Sequence, residues 1–163
     1  IDEYYHTSID ILGCRPKVDI RSWELRTNMA NDSIRDRKPA FVGPSAEIED
    51  SFFYCGCSIE GTVKRSILFP GVSVEKGAVV EDSILFFDST VKAGARVMRT
   101  ITDSACTVSA HADIGDPADK LTVIGMDTMV PENIRIEGGV SVHPKLKATA
   151  FQKTRYVAGE VIQ

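Results

Sequence analysis

Histidines, cysteines and two groups of basic residues are the side chains of this sequence that could do chemistry. His6, His111 and His143 are scattered, and none has the spacing of a metal cluster, so no metal site is expected. His111 has Asp113 and Asp116 close in sequence, and an imidazole near carboxylates is the usual general base of proton transfer. Arg26, Arg35, Arg37 and Lys38 form one basic patch, and Lys145, Lys147, Lys153 and Arg155 form a locally basic tail. Such runs are either a solvated surface or a site for a small anion. Cys14, Cys55, Cys57 and Cys106 are too few and too irregular for a secreted disulfide scaffold, and no pair of CxxC motifs suggests zinc, so they read as free thiols. No glycine-rich phosphate loop is present; Gly138-Gly139 falls inside a repeat and not between a strand and a helix.

What must position these groups is an ordinary soluble domain. The chain has 163 residues, 43% hydrophobic and 26% charged, with a net charge of −4. That balance excludes a generally basic nucleic-acid-binding protein and a disordered chain. No apolar run reaches the roughly 18–20 residues of a membrane span, and the first residues lack a signal peptide's basic and apolar regions, so the cytoplasm is the expected location. The opening residue is Ile1, not Met, as expected of a segment of a longer protein.

From Val42 onward the sequence repeats. Val42, Ile59, Val74, Val91 and Val108 begin successive units, and the same register recurs at Ile48, Val63, Val80, Val97 and Ile114 and again at Phe53, Leu68, Leu85 and Thr102. Two residues before these aliphatics stand small ones: Ala78, Ala95 and Ala112 in one column, Ser66, Ser83 and Thr100 in another. Residues two apart on a strand point the same way, so each turn of chain carries three inward pairs, one small and one branched. Gly43, Gly56, Gly71, Gly77, Asp88 and Gly94 fall where the chain must bend. Ile124, Val130, Ile136 and Val142 continue the six-residue step. This is the hexapeptide pattern of an all-β parallel β-helix of about six stacked coils, each buried by its neighbours. Cys57 and Cys106 lie in the small inward column and are expected to be inert, whereas Cys55 lies at a bend. His111 occupies a corner, where other coils carry Ser45, Gly77 and Gly94.

The outward column beside the third inward pair is apolar: Phe52, Ile67, Ile84 and Ile101, with Tyr54, Phe69 and Phe86 next to it. A stripe of this kind is either an interface or a surface covered by the chain's own N-terminal segment. That segment differs from the repeats. Ile1, Tyr4, Tyr5, Ile9 and Leu12 recur at helical spacing, with Gly13 and Pro16 ending the helix. Residues Trp23 to Thr27 read as an extended strand and 28–40 as a loop. The expected organisation is a helix and connector over 1–41 followed by the β-helix over 42–163.

This order of helix (Tyr4 to Leu12), strand with Trp23 and Thr27, linker ending Pro39-Ala40-Phe41-Val42-Gly43, and hexapeptide coils resembles the C-terminal region of bacterial glucose-1-phosphate adenylyltransferases, the ADP-glucose pyrophosphorylases. The coils from Ser66 to Val72 and from Gly77 to Leu85 are especially similar. The resemblance covers essentially the whole chain. It implies a left-handed β-helix and a parent that makes ADP-glucose and pyrophosphate from ATP and glucose 1-phosphate with Mg²⁺, feeding glycogen or starch synthesis. In that family the catalytic loop and metal-binding aspartate lie in an N-terminal domain. This stretch would then be catalytically inert and hold no cofactor. Its partners would be that domain and the other subunits of a tetramer, with an anionic sugar-phosphate effector near the junction. Arg35, Arg37, Lys38, Lys145, Lys147, Lys153 and Arg155 are the effector candidates, and the apolar stripe the interface candidate. Two alternatives remain: a hexapeptide acyltransferase with His111 as base, and a non-catalytic regulatory subunit.

Overall fold

The inward aliphatics dictate the architecture that the computed structural model shows, a left-handed parallel β-helix. Residues 1–23, 36–118 and 120–163 are described. Strands of two or three residues stack into three parallel sheets. The first sheet runs from Phe41–Val42 to Met129–Val130, the second from Glu47–Glu49 to Arg155–Tyr156, and the third from Phe52–Phe53 to Val161–Ile162. Register is one coil on the next: Ile59 pairs with Val74, Val63 with Val80, and Leu68 with Leu85. Those residues are fully buried, and each large aliphatic removed from water contributes about 1.5–3 kcal/mol. The period stays in phase across the longer turn between Thr102 and Ile124, because Thr100 pairs with Thr122.

The small columns have their own physics. Ser66 N–H donates to Ser51 Oγ, Ser83 N–H to Ser66 Oγ, and Thr100 N–H to Ser83 Oγ, each at 3.1 Å. Each hydroxyl in turn donates to the carbonyl two residues back, as Ser83 does to Glu81 at 2.7 Å. This ladder satisfies buried backbone N–H groups that the corner geometry leaves without a strand partner. Corners are made by single residues in the left-handed region, among them Gly71 (φ 80°), Asp88 (φ 58°) and His111 (φ 57°). Gly43, expected at such a bend, does not adopt positive φ; it is buried, and an added Cβ would lie 3.2 Å from Glu60 Cγ.

Two expectations need correction. Trp23 ends a 3₁₀ turn, Ile20–Trp23, and does not begin a strand; Glu24 to Thr27 and most of the expected loop lie outside the described residues. The C-terminal segment is not a tail. After a 3₁₀ turn at Ala148–Ala150, Arg155–Tyr156 and Val161–Ile162 pair with the coil below, so two sheets have seven strands where about six coils were expected. Tyr156 and Ile162 stand six apart and both are buried, so they continue the inward columns. Among the described residues no helix is long and apolar enough to cross a membrane.

The helix Asp2–Ile9 (α1) lies against the outside of the third sheet. Its residue Tyr5 is buried with Ile67, Ile84, Ile101 and Leu121, and Ile9, Ile11 and Leu12 pack at the margin.

Candidate functional site

The outward column of the third sheet runs by register through Phe52, Ile67, Ile84, Ile101, Val123, Ser141 and Val161. Of the two readings of its apolar part, cover by the N-terminal segment is what the structure shows for Ile67, Ile84 and Ile101, which are at most 4% exposed. Tyr5 anchors that cover. Its hydroxyl donates to the Asp82 carbonyl at 2.7 Å, and the Arg99 guanidinium carbon lies 5.3 Å from its ring centroid. Burial pushes the Tyr5 phenol above its usual pKa, with Asp82 adding to the shift. Tyr54, Phe69 and Phe86 remain half-buried along the edge of the helix. Their rings stack, with centroids 5.7 Å apart for Tyr54 and Phe69 and 4.5 Å for Phe69 and Phe86, and Tyr4 of α1 sits 6.3 Å from Phe86. Phe52 is half-buried beside Leu12 and Gly13. The seven residues expected as an interface are therefore brought together, but three of them lie under the chain's own helix.

The basic residues are not brought together. Arg26 and Arg35 lie outside the described residues. Arg37 reaches across the corner at Gly56 and Gly71 and grips Asp88 with both arms, Nη1 to Oδ1 at 2.6 Å and Nη2 to Oδ2 at 2.8 Å. Its guanidinium straps the start of the β-helix to a later coil. The hydrogen bond to Asp88 raises the Arg37 pKa further. Lys38 and Lys145 are exposed on one corner ladder that runs through Gly56, Gly71, Asp88, Ala105 and Asp127. Six coil steps at about 4.8 Å put them roughly 29 Å apart, too far for one small anion. Lys147 faces Asp127 at 4.0 Å, Lys153 pairs with Glu160 at 2.5 Å, and Arg155 holds Glu137 with Nε at 2.9 Å and Nη2 at 2.5 Å.

His111 projects at its corner, exposed, with its ring laid back over Gly94; a Cβ at Gly94 would fall 2.5 Å from His111 Nδ1. Among the described residues its imidazole has no hydrogen bond, and Asp113, the nearby carboxylate, pairs with Arg135 instead. A base without an orienting acid lacks half of the arrangement that proton transfer uses. Among the described residues no three His, Cys, Asp or Glu side chains converge to hold a metal ion.

The thiols separate by burial as the columns require. Cys14 is exposed and Cys55 half-buried, while Cys57 and Cys106 are buried. Burial pushes Cys57 up and Cys106 up to about 11. An aromatic disulfide reagent should therefore label Cys14 and Cys55 in the folded chain near neutral pH, and Cys57 and Cys106 only after denaturation. Rapid labelling of all four would overturn the inward placement. The sign of the linkage follows: the folded state holds the Cys106 proton, so this contribution to stability is complete below the ordinary thiol value of 9.0 and is lost as pH rises toward about 11.

Arg99 was passed over in the sequence. Its signal is the corner column Arg65, Asp82, Arg99, in which charge alternates and the next acid is missing.

Residues 42–128 match the family described as GlmU-like, C-terminal hexapeptide. The glucose-1-phosphate adenylyltransferase of Desulfitobacterium hafniense (strain DSM 10664 / DCB-2) is 33% identical over 149 residues, covering 87% of this chain and 36% of that protein. The enzyme of the same name from Acetivibrio thermocellus is 26% identical over 166 residues, covering 93% of this chain and 38% of that protein. Among solved structures, a hexapeptide transferase family protein from Anaplasma phagocytophilum aligns with a TM-score of 0.43 at 13% identity, over 78% of this chain and 75% of that one. The chain spans little more than a third of the length of the curated relatives it matches.

Proposed function

Because the chain belongs to the family of GlmU-like C-terminal hexapeptide domains, we propose that it is the β-helix of a glucose-1-phosphate adenylyltransferase, serving assembly and regulation while another part of the polypeptide performs the chemistry. The observation that carries this reading is the alignment of 87% of the chain, at 33% identity, with 36% of an enzyme of that name. The packing supports it as well. The helix α1 is bound to the outside of four successive coils, through Ile67, Ile84, Ile101 and Leu121. Any domain joined to that helix is thereby held to a rigid stack.

In the proposed parent, a phosphate oxygen of glucose 1-phosphate attacks the α-phosphorus of ATP. A new P–O bond forms, the α–β bridge breaks, and pyrophosphate leaves, giving ADP-glucose. Mg²⁺ would neutralise the transferring phosphates there. Catalytic groups and metal ligands would come from the N-terminal domain, with residues 1–41 as connector and 42–163 as the stacking body. Other subunits and an anionic effector are the partners this role requires, and the cytoplasm is where its substrates occur.

Pyrophosphate release from ATP, measured with a panel of sugar 1-phosphates, tests the proposal. The complete polypeptide should turn over with glucose 1-phosphate, and the 163-residue chain should not. Turnover by the isolated chain, or silence of the complete polypeptide with every sugar, would overturn it.

A further inference from the structure

The weakly held end of the stack is its first coil. Val42, Ile48 and Phe53 occupy the same inward columns as Ile59, Val63 and Leu68 one coil on. They are nevertheless 44%, 36% and 36% exposed, where those three are fully buried. The strands that carry them, Phe41–Val42, Glu47–Glu49 and Phe52–Phe53, end the three sheets, each with one strand partner among the described residues. A coil with a single neighbour buries less than the others, so a stacked array opens there first. α1 does little to prevent it. Tyr5 lies over Ile67, Ile84 and Ile101 of later coils, while Leu12 and Gly13 meet the first coil around a cavity of about 210 Å³ shared with Ile48 and Phe52.

Residues 37–41 act against that opening. Their main chain forms the lowest rung of the corner ladder between the third sheet and the first, Gly56 N–H donating to the Lys38 carbonyl at 2.7 Å and Phe41 N–H to the Cys57 carbonyl at 2.8 Å. The next rungs are Gly71 N–H to the Cys55 carbonyl and Asp88 N–H to the Pro70 carbonyl. The Arg37 side chain skips both glycine corners and ends on the Asp88 carboxylate with both arms. Its path is kept open by the absence of side chains. An added Cβ at Gly56 would lie 3.1 Å from Arg37 Cδ, and one at Gly71 would overlap Arg37 Nη1 and Asp88 Oδ1. The Arg37 side chain is only 18% exposed in this trough, so the pair is better shielded than an open surface ion pair. Its planar fork also matches the two carboxylate oxygens, which an ammonium would not.

We propose that Arg37 is a latch on the first coil. With Asp88 held, residues 37–55 are closed on the coils that follow; with it released, they open as a unit while the rest of the stack stays folded. The geometry separates the two states cleanly. Arg37 and Asp88 meet outside the prism, so releasing them disturbs no core side chain, and what opens is the coil whose own inward residues are least buried. The latch thereby sets how tightly the connector is tied to the stack at its far end from α1. The inference does not depend on the assembly role proposed above, and its failure would leave that role standing.

Amide hydrogen exchange of the 163-residue chain, followed residue by residue by NMR, is the test. Arg37→Gln should speed exchange at the Phe41 and Gly56 amides about tenfold, the size of a charge-assisted hydrogen bond. The Phe69 and Glu75 amides, which donate to the Leu85 and Val91 carbonyls of the next coil, should exchange as before. Asp88→Asn should also speed Phe41 and Gly56; asparagine tolerates the left-handed backbone of this corner, where φ is 58°, so the change tests the charge and not the turn. The double variant should open no further than Arg37→Gln alone, because both changes release the same contact. Unchanged exchange at Phe41 and Gly56 in Arg37→Gln, additive acceleration in the double variant, or equal acceleration at Phe69 and Glu75 would each overturn the proposal.

Discussion

Gly115→Ala should cost about 4 kcal/mol or more, enough to unfold a domain of this size or to stop it accumulating. Gly115 leaves the strand Asp113–Ile114 with φ of 78°, and a Cβ there would sit 1.8 Å from the Met98 carbonyl oxygen and 2.8 Å from Thr100 Oγ1. The obstructing oxygen belongs to backbone, and Thr100 also takes part in the buried hydroxyl ladder. Neither can move without breaking the stack. Gly77 provides the control. Its φ is 76°, yet the nearest atom to an added Cβ is 3.9 Å away, so Gly77→Ala should cost only the left-handed backbone penalty, about 1–2 kcal/mol. Chemical denaturation of the two variants measures the difference. Equal losses would mean that the close approach at Gly115 has no energetic consequence.

Tyr5→Ala should have the next largest effect, because it removes the one fully covered side chain of α1. Truncating a buried aromatic typically costs about 3–5 kcal/mol, and here the hydrogen bond to the Asp82 carbonyl and the contact with Arg99 go with it. The loss should appear locally. α1 should detach and residues 1–12 become sensitive to proteases, while the sheet signal of the coils persists. Tyr5→Phe keeps the ring and should lose only about 1 kcal/mol, the worth of one hydrogen bond. If proteolysis of the N-terminal segment is the same in Tyr5→Ala as in the parent chain, Tyr5 is not what holds the helix.

Much of this structure is legible in the residues because a stacked coil leaves little choice at its inward positions. Val63, Val80 and Val97 must be branched, and Ala78 and Ala95 must be small, or the prism would not close. The last coil was harder to see. Its inward Tyr156 and Ile162 keep the six-residue step, but a 3₁₀ turn replaces the strand that would have announced it, and the exposed Lys153 and Arg155 give it the look of a tail. Pairings across the fold were not legible at all. Nothing local in the sequence says that Tyr5 reaches Asp82 or Arg37 reaches Asp88, since both contacts depend on how a non-repeating segment lies against the repeats. The candidate site suffers from the same limit: charge runs show where cations are, not which of them already hold a carboxylate. Arg99 differs from Arg65 only through an acid missing one coil later.

The cover over the third sheet also bears on how the stack comes apart. A solenoid whose coils touch only their nearest neighbours behaves as a one-dimensional array that can fray one unit at a time from either end. α1 departs from nearest-neighbour order, for it touches side chains from four consecutive coils, Ile67, Ile84, Ile101 and Leu121, together. Coils bridged in this way share one boundary with solvent, so they open as a block. The molecule thus has a cooperative middle between two ends that can breathe, and the size of that block is set by the reach of a helix of eight residues and the few that follow it, not by the number of repeats.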